Sequence, residues 1–201
     1  MGASSAGVNG RICVFAGSRA GARSEYAEAA RRLARALVAR HYGLVYGGGN
    51  VGLMGVVADA VLEHGGHVTG VIPEPFVVRE VAHRGLSELR IVQSMHERKA
   101  VMAELSDAFI ALPGGIGTME EFFEVLSWAQ LGIHQKPCGL LNVCDYYRPI
   151  VEFLDYALQA DFLKPSHRAL LIVEDRAEAL LDRFEKYAAP ELTRWFDRSK
   201  T

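Results

Sequence analysis

Two carboxylates, Glu120 and Glu121, stand just beyond the run Pro113-Gly114-Gly115-Ile116-Gly117-Thr118, and two cations, Arg98 and Lys99, precede that run. Glycines let backbone amides approach an anion closely, and a helix that follows them aims its unsatisfied N–H groups and positive dipole end at the same place. A phosphate is the natural occupant of such a loop. Thr118 can either cap amides at the helix start or hydrogen-bond a phosphate oxygen, and a tight strand-to-helix turn with an ordinary Thr cap is the plainer alternative. A carboxylate in the first turns of that helix is favoured by the dipole, so Glu121 is expected to be ionised with a lowered pKa. Arg98 offers a planar, permanently charged fork that can bind phosphate, stack on a purine or polarise a departing group, but cannot act as an ordinary general acid.

Two further glycine-rich segments follow apolar runs: Ala16-Gly17-Ser18 and Gly47-Gly48-Gly49-Asn50-Val51-Gly52. The second satisfies G-x-G-x-x-G through Gly47, Gly49 and Gly52, which makes a dinucleotide site the main competing reading. That reading also wants an acidic residue at the end of the next strand to hold a ribose, and Glu74, placed after Pro73, fits only by generous alignment. No Gly-Lys-Ser/Thr sequence occurs, which disfavours a nucleoside triphosphatase.

The elements that must position these loops alternate. Short β-rich runs (12–15, 44–46, 67–72, 108–112, 139–143 and 170–173) are interleaved with helical patterns over 24–40, 53–63, 95–105, 118–130, 149–158 and 177–187. This predicts a single-domain, Rossmann-like, doubly wound parallel α/β sheet with helices on both faces, its ligand beyond the carboxyl ends of the strands. Residues 1–10 read as a disordered leader, 11–190 as the nucleotide-processing domain and 191–201 as a C-terminal tail.

Composition narrows the classes further. The chain has 201 residues, half of them hydrophobic, enough for one core. A formal charge of -2 supplies no basic field for a polynucleotide. No apolar run approaches the ~20 residues that cross a bilayer, so a membrane partner is not expected and cytoplasmic residence is. Cys13, Cys138 and Cys144 match no C-x-x-C spacing, and no metal site is expected.

Two segments exceed generic loop chemistry: Ser94-Met95-His96-Glu97-Arg98-Lys99 and Pro113-Gly114-Gly115-Ile116-Gly117-Thr118-Met119-Glu120-Glu121. They resemble the paired signatures of the LONELY GUY family, M-H-x-R-K and P-G-G-x-G-T-x-x-E, and both are complete. The likeness extends over Phe15 to Ser18, Tyr46 to Gly55 and Trp128 to His134, most of the chain from about residue 11 to 160. The resemblance implies a Rossmann-like homodimer, without a cofactor, whose substrate is a small purine nucleoside 5′-monophosphate. It cleaves the N-glycosidic bond of cytokinin (N6-substituted adenosine) 5′-monophosphates with water, giving free base and ribose 5-phosphate. A broader AMP or purine nucleotide nucleosidase and a catalytically silent nucleotide sensor are the alternatives.

By the same resemblance Arg98 and Glu121 are catalytic. The substrate is expected to be bound by Ser18, Glu80, Met95, Arg98, Lys99, Gly114, Gly115, Ile116, Gly117, Thr118, Met119, Glu120, Glu121 and Ser127. Met95, three positions before Arg98, can share its helical face and pack on a purine, or belong to the core. Relatives are often named lysine decarboxylases. That chemistry needs a Schiff-base lysine and room for a pyridoxal cofactor, and the lysines are only Lys99, Lys136, Lys164, Lys186 and Lys200.

Overall fold

The computed structural model describes residues 9–77 and 82–191. Among the described residues seven strands form one sheet: β1 (Gly10–Phe15), β2 (Tyr42–Tyr46), β3 (Val68–Pro73), β4 (Glu88–Val92), β5 (Ala108–Ala111), β6 (Cys138–Leu141) and β7 (Leu171–Glu174). The helices are α1 (Ser24–Ala39), α2 (Gly52–Glu63), the single turn α3 (Glu74–Val77), α4 (Met95–Glu104), α5 (Ile116–Gln130), α6 (Arg148–Gln159), α7 (Pro165–Arg168) and α8 (Ala177–Glu185). A short 3₁₀ turn, Val143–Asp145, follows β6.

Every strand pairing is parallel, and the order is β4-β3-β2-β1-β5-β6-β7. The expected doubly wound sheet is therefore observed. Side chains alternate across it as a strand's two-residue period requires. Ile12 and Val14 of β1, with Ala108 and Ile110 of β5, face a core closed by α1, α2 and α8. Cys13, Phe15, Phe109 and Ala111 face the opposite core, closed by α4 and α5, with α6 packed partly against it. Burial on both faces explains why these strands read as continuous apolar runs.

The sequence pattern missed one strand, β4. It lies at the sheet edge and is mostly exposed, with Glu88 and Arg90 paired at 2.7 Å. A charged edge protects the sheet from adding another strand and erases the apolar signal that pattern reading depends on. Among the described residues no helix is long and apolar enough to cross a membrane.

The strand order reverses at β1, whose neighbours β2 and β5 leave it in opposite directions. Loops after β1 and β5 diverge there, leaving the crevice in which open α/β sheets seat ligands. The expected ligand loops are those that emerge at this point.

Candidate active site

Three loops converge beyond the strand ends. The amide of Gly17 donates to the Pro113 carbonyl (3.1 Å), and the amide of Leu53 donates to the Gly17 carbonyl (2.9 Å). Gly52 holds φ +58, and a β-carbon there would collide with the carbonyl carbon of Ser18 and the amide of Arg19. Only glycine satisfies both the left-handed backbone and that close approach. At Gly47 an added β-carbon would strike Arg98 Nη2. Two glycines of the G-x-G-x-x-G pattern thus make room for a neighbouring loop and for an arginine, a packing role that needs no dinucleotide.

Arg98 and Lys99 sit in the first turns of α4. Ser94 caps that helix by accepting from the Glu97 amide (3.1 Å), and Glu97 reaches back to accept from the Gln93 amide (2.7 Å). This reciprocal cap fixes where the helix begins and so where both cations point. Arg98 Nη2 donates to Glu121 Oε1 at 2.8 Å, and Nη1 lies 3.7 Å from Met95 Sδ. Arg98 Nε is buried without a partner among the described residues. Lys99, 8% exposed, donates to Glu120 at 2.5 Å and to Glu124 at 3.1 Å. Two cations from α4 therefore interlock with three carboxylates of α5.

Glu121 is 9% exposed, and burial pushes its pKa above the ordinary carboxylate value, with Arg98 opposing the rise and Glu120 adding to it. This reverses the lowered pKa expected from the helix dipole. Glu121 is the sixth residue of α5, past the first turn where the dipole acts, so desolvation outweighs it.

The expected site residues fall into groups. Ser18, Gly114 and Gly115 line one cleft of about 360 Å³, and Thr118, buried, sits against Gly114. Ile116 is 91% exposed, and Gly117 is likewise exposed at the start of α5. Met95 is 38% exposed, so it is not a core residue, whereas Met119 packs partly into the core beneath α5. Ser127 lies about 9 Å further along α5 than Glu121 and is exposed. Glu80 lies outside the described residues. His96, in the same signature segment as Arg98, is exposed.

Several site residues escaped the sequence reading. Arg19, Tyr26 and Tyr146 also line the cleft. Tyr146 donates its hydroxyl to the Gly114 carbonyl and Tyr147 to the Leu112 carbonyl, each at 2.6 Å, so both brace the loop before α5. They come from the segment after β6, and nothing in local spacing links them to residue 114. Glu124 did carry a signal: it stands four positions past Glu120, on the same helical face.

Comparison with known proteins gives a consistent picture. A sequence family described as "Possible lysine decarboxylase" matches residues 54–184. A probable cytokinin riboside 5′-monophosphate phosphoribohydrolase of Oryza sativa subsp. japonica is 54% identical over 177 residues, covering 88% of this chain and 78% of that protein. A cytokinin riboside 5′-monophosphate phosphoribohydrolase of Arabidopsis thaliana is 51% identical over 178 residues, 89% of this chain and 83% of its own length. Among solved structures, the molybdenum cofactor carrier protein of Chlamydomonas reinhardtii superposes with a TM-score of 0.67 at 19% identity, over 89% of this chain and 99% of the other. The molybdenum cofactor binding protein of Rippkaea orientalis gives 0.66 at 21% identity, over 88% and 96%. At such identities these two matches bear on the fold alone.

Proposed function

The chain belongs to the family that holds the LONELY GUY-type cytokinin riboside 5′-monophosphate phosphoribohydrolases, whose sequence profile bears the lysine decarboxylase description, and we propose that it is itself such a phosphoribohydrolase. The substrate is a purine nucleoside 5′-monophosphate, with N6-substituted adenine as the preferred base. The observation that carries this reading is the Arg98–Glu121 pair at 2.8 Å, held beside a glycine-rich loop in a chain about half identical to the plant enzymes. Lysine decarboxylation gains no support from it, since Glu120 and Glu124 hold Lys99 as an ammonium, which lacks the lone pair a Schiff base requires.

In this reading the phosphate rests on the Pro113 to Thr118 loop, which brings C1′ of the ribose toward Glu121. The C1′–N bond breaks with positive charge developing on the ribose, and the Glu121 carboxylate stabilises that charge from a nearly water-free position, where it acts more strongly than in solvent. Water adds its oxygen to C1′, and the balance of protons leaves one on the departing base. Arg98 keeps Glu121 ionised and oriented. Met95 offers an apolar surface for the base.

A homodimer belongs to the same proposal. The half-buried Phe123 and Trp128 of α5 and the exposed Phe153 and Tyr156 of α6 are apolar surface of the kind a second copy covers. Residence in a reducing compartment such as the cytoplasm fits the three free cysteines.

The test is chromatographic. Purified protein without added cofactor is incubated with N6-isopentenyl-AMP, AMP and the phosphate-free riboside. Release of base from the nucleotides supports the reading, and the rate ratio of the first two separates a cytokinin-specific enzyme from a general AMP nucleosidase. No release from any would favour a nucleotide sensor.

A further inference from the structure

The cations of the family signature leave a phosphate short of counter-charge. Lys99 is committed to Glu120 and Glu124, and Arg98 gives its nearest donor to Glu121. The Pro113 to Thr118 loop also borders the 360 Å³ cleft, and among the described residues its one charged wall is Arg19. No carboxylate lines that cleft, and Arg19 has no ion pair among the described residues. The other walls include Gly114 and Gly115 of the glycine-rich loop, and Ser18. The backbone that carries Arg19 is fixed, because the Ser18–Arg19 peptide is packed against Gly52 with no space between them.

We propose that Arg19 is the counter-charge for the substrate's 5′-phosphate and the residue by which this site discriminates a nucleotide from a nucleoside. The inference rests on the phosphoribohydrolase reading for the identity of the substrate and on the cleft for its place. A phosphomonoester carries about -1.5 to -2 charge near neutral pH, and an arginine fork meets two of its oxygens at once. The phosphate-free riboside offers that fork nothing. The contact holds the phosphate equally before and during bond cleavage, so it contributes to substrate affinity and leaves the chemical step unchanged.

The experiment compares wild-type protein with Arg19→Gln and Arg19→Lys. Each is assayed on AMP and N6-isopentenyl-AMP and titrated calorimetrically with ribose 5-phosphate, the phosphate-bearing product. For Arg19→Gln, KM and the ribose 5-phosphate Kd are expected to rise together by about 10- to 100-fold, the range for a charge-assisted contact. kcat should stay within about threefold, since the lost contact acts on binding alone. Arg19→Lys should restore much of the affinity, because it keeps the charge and loses only the fork. Added salt should weaken wild-type binding more than that of Arg19→Gln. Unchanged KM and Kd in Arg19→Gln overturn the assignment, as does a loss carried by kcat, which would make Arg19 a scaffold residue. If wild-type protein releases no base yet binds ribose 5-phosphate through Arg19, the hydrolase reading fails and the phosphate subsite stands. Wild-type protein that binds no ribose 5-phosphate refutes the subsite itself.

Discussion

Replacing Arg98 by Met should turn Glu121 from a paired carboxylate into a stranded one, with a penalty that depends on pH. The pair is 2.8 Å apart, its side chains are only 14% and 11% exposed, and Glu120 and Glu124 lie close enough to raise the energy of an unpaired charge. Removing one partner of a buried pair costs about 3–5 kcal/mol while the survivor stays charged. Glu121 has an escape, which is to take up a proton. Against an ordinary value of 4.5, protonation costs about 3.4 kcal/mol at pH 7 and about 0.7 kcal/mol at pH 5. We therefore expect Arg98→Met to lose about 3 kcal/mol at pH 7, a fall in Tm of roughly 6–12 °C for a chain of this size, and less than about 1 kcal/mol at pH 5. Adding Glu121→Gln removes the stranded charge and should recover about 2 kcal/mol of the loss at pH 7, as coupled neighbours do. Urea unfolding of the four proteins at both pH values measures this directly. A penalty that is the same at pH 5 and pH 7, or single effects that simply add, would refute the pairing argument.

Three further outcomes follow from the same site. Because burial raises the Glu121 pKa, Glu121 takes up a proton more readily in the folded protein than in the unfolded chain. That contribution is complete below 4.5 and is lost as pH climbs through the raised value, so wild-type stability relative to Glu121→Gln should fall across that window in paired urea titrations. The acid limb of kcat should lie above 4.5 for the same reason, since turnover needs the carboxylate. Gly47→Ala places a methyl group where Arg98 Nη2 now lies. It should lower turnover at least about tenfold by displacing the guanidinium, as small misplacements of a positioned group do, with circular dichroism unchanged.

Much of this arrangement was legible in the sequence because its signals are local. The apolar runs of β1, β2, β3 and β5 are buried on both faces, and an alternating chain of such runs admits few topologies. The two signature segments brought Arg98 and Glu121 forward as a pair, and the sheet places them in contact. What stayed hidden depends on contacts between distant segments. β4 is a charged edge strand with no apolar run to announce it. Tyr146 supports Gly114 from 32 residues away. The direction of the Glu121 pKa turned on burial, a tertiary property, whereas the helix dipole was the only influence visible in the chain itself.

We assign hydrolysis of the N-glycosidic bond to Arg98 and Glu121 beside a phosphate loop. The most direct test is a side-by-side assay of wild-type protein and Glu121→Gln on N6-isopentenyl-AMP, quantifying free base and ribose 5-phosphate together. Wild-type protein should yield equal amounts of the two products, and the folded variant a rate at least about 100-fold lower. Equal rates from the two proteins, or base released without ribose 5-phosphate, would contradict the assignment.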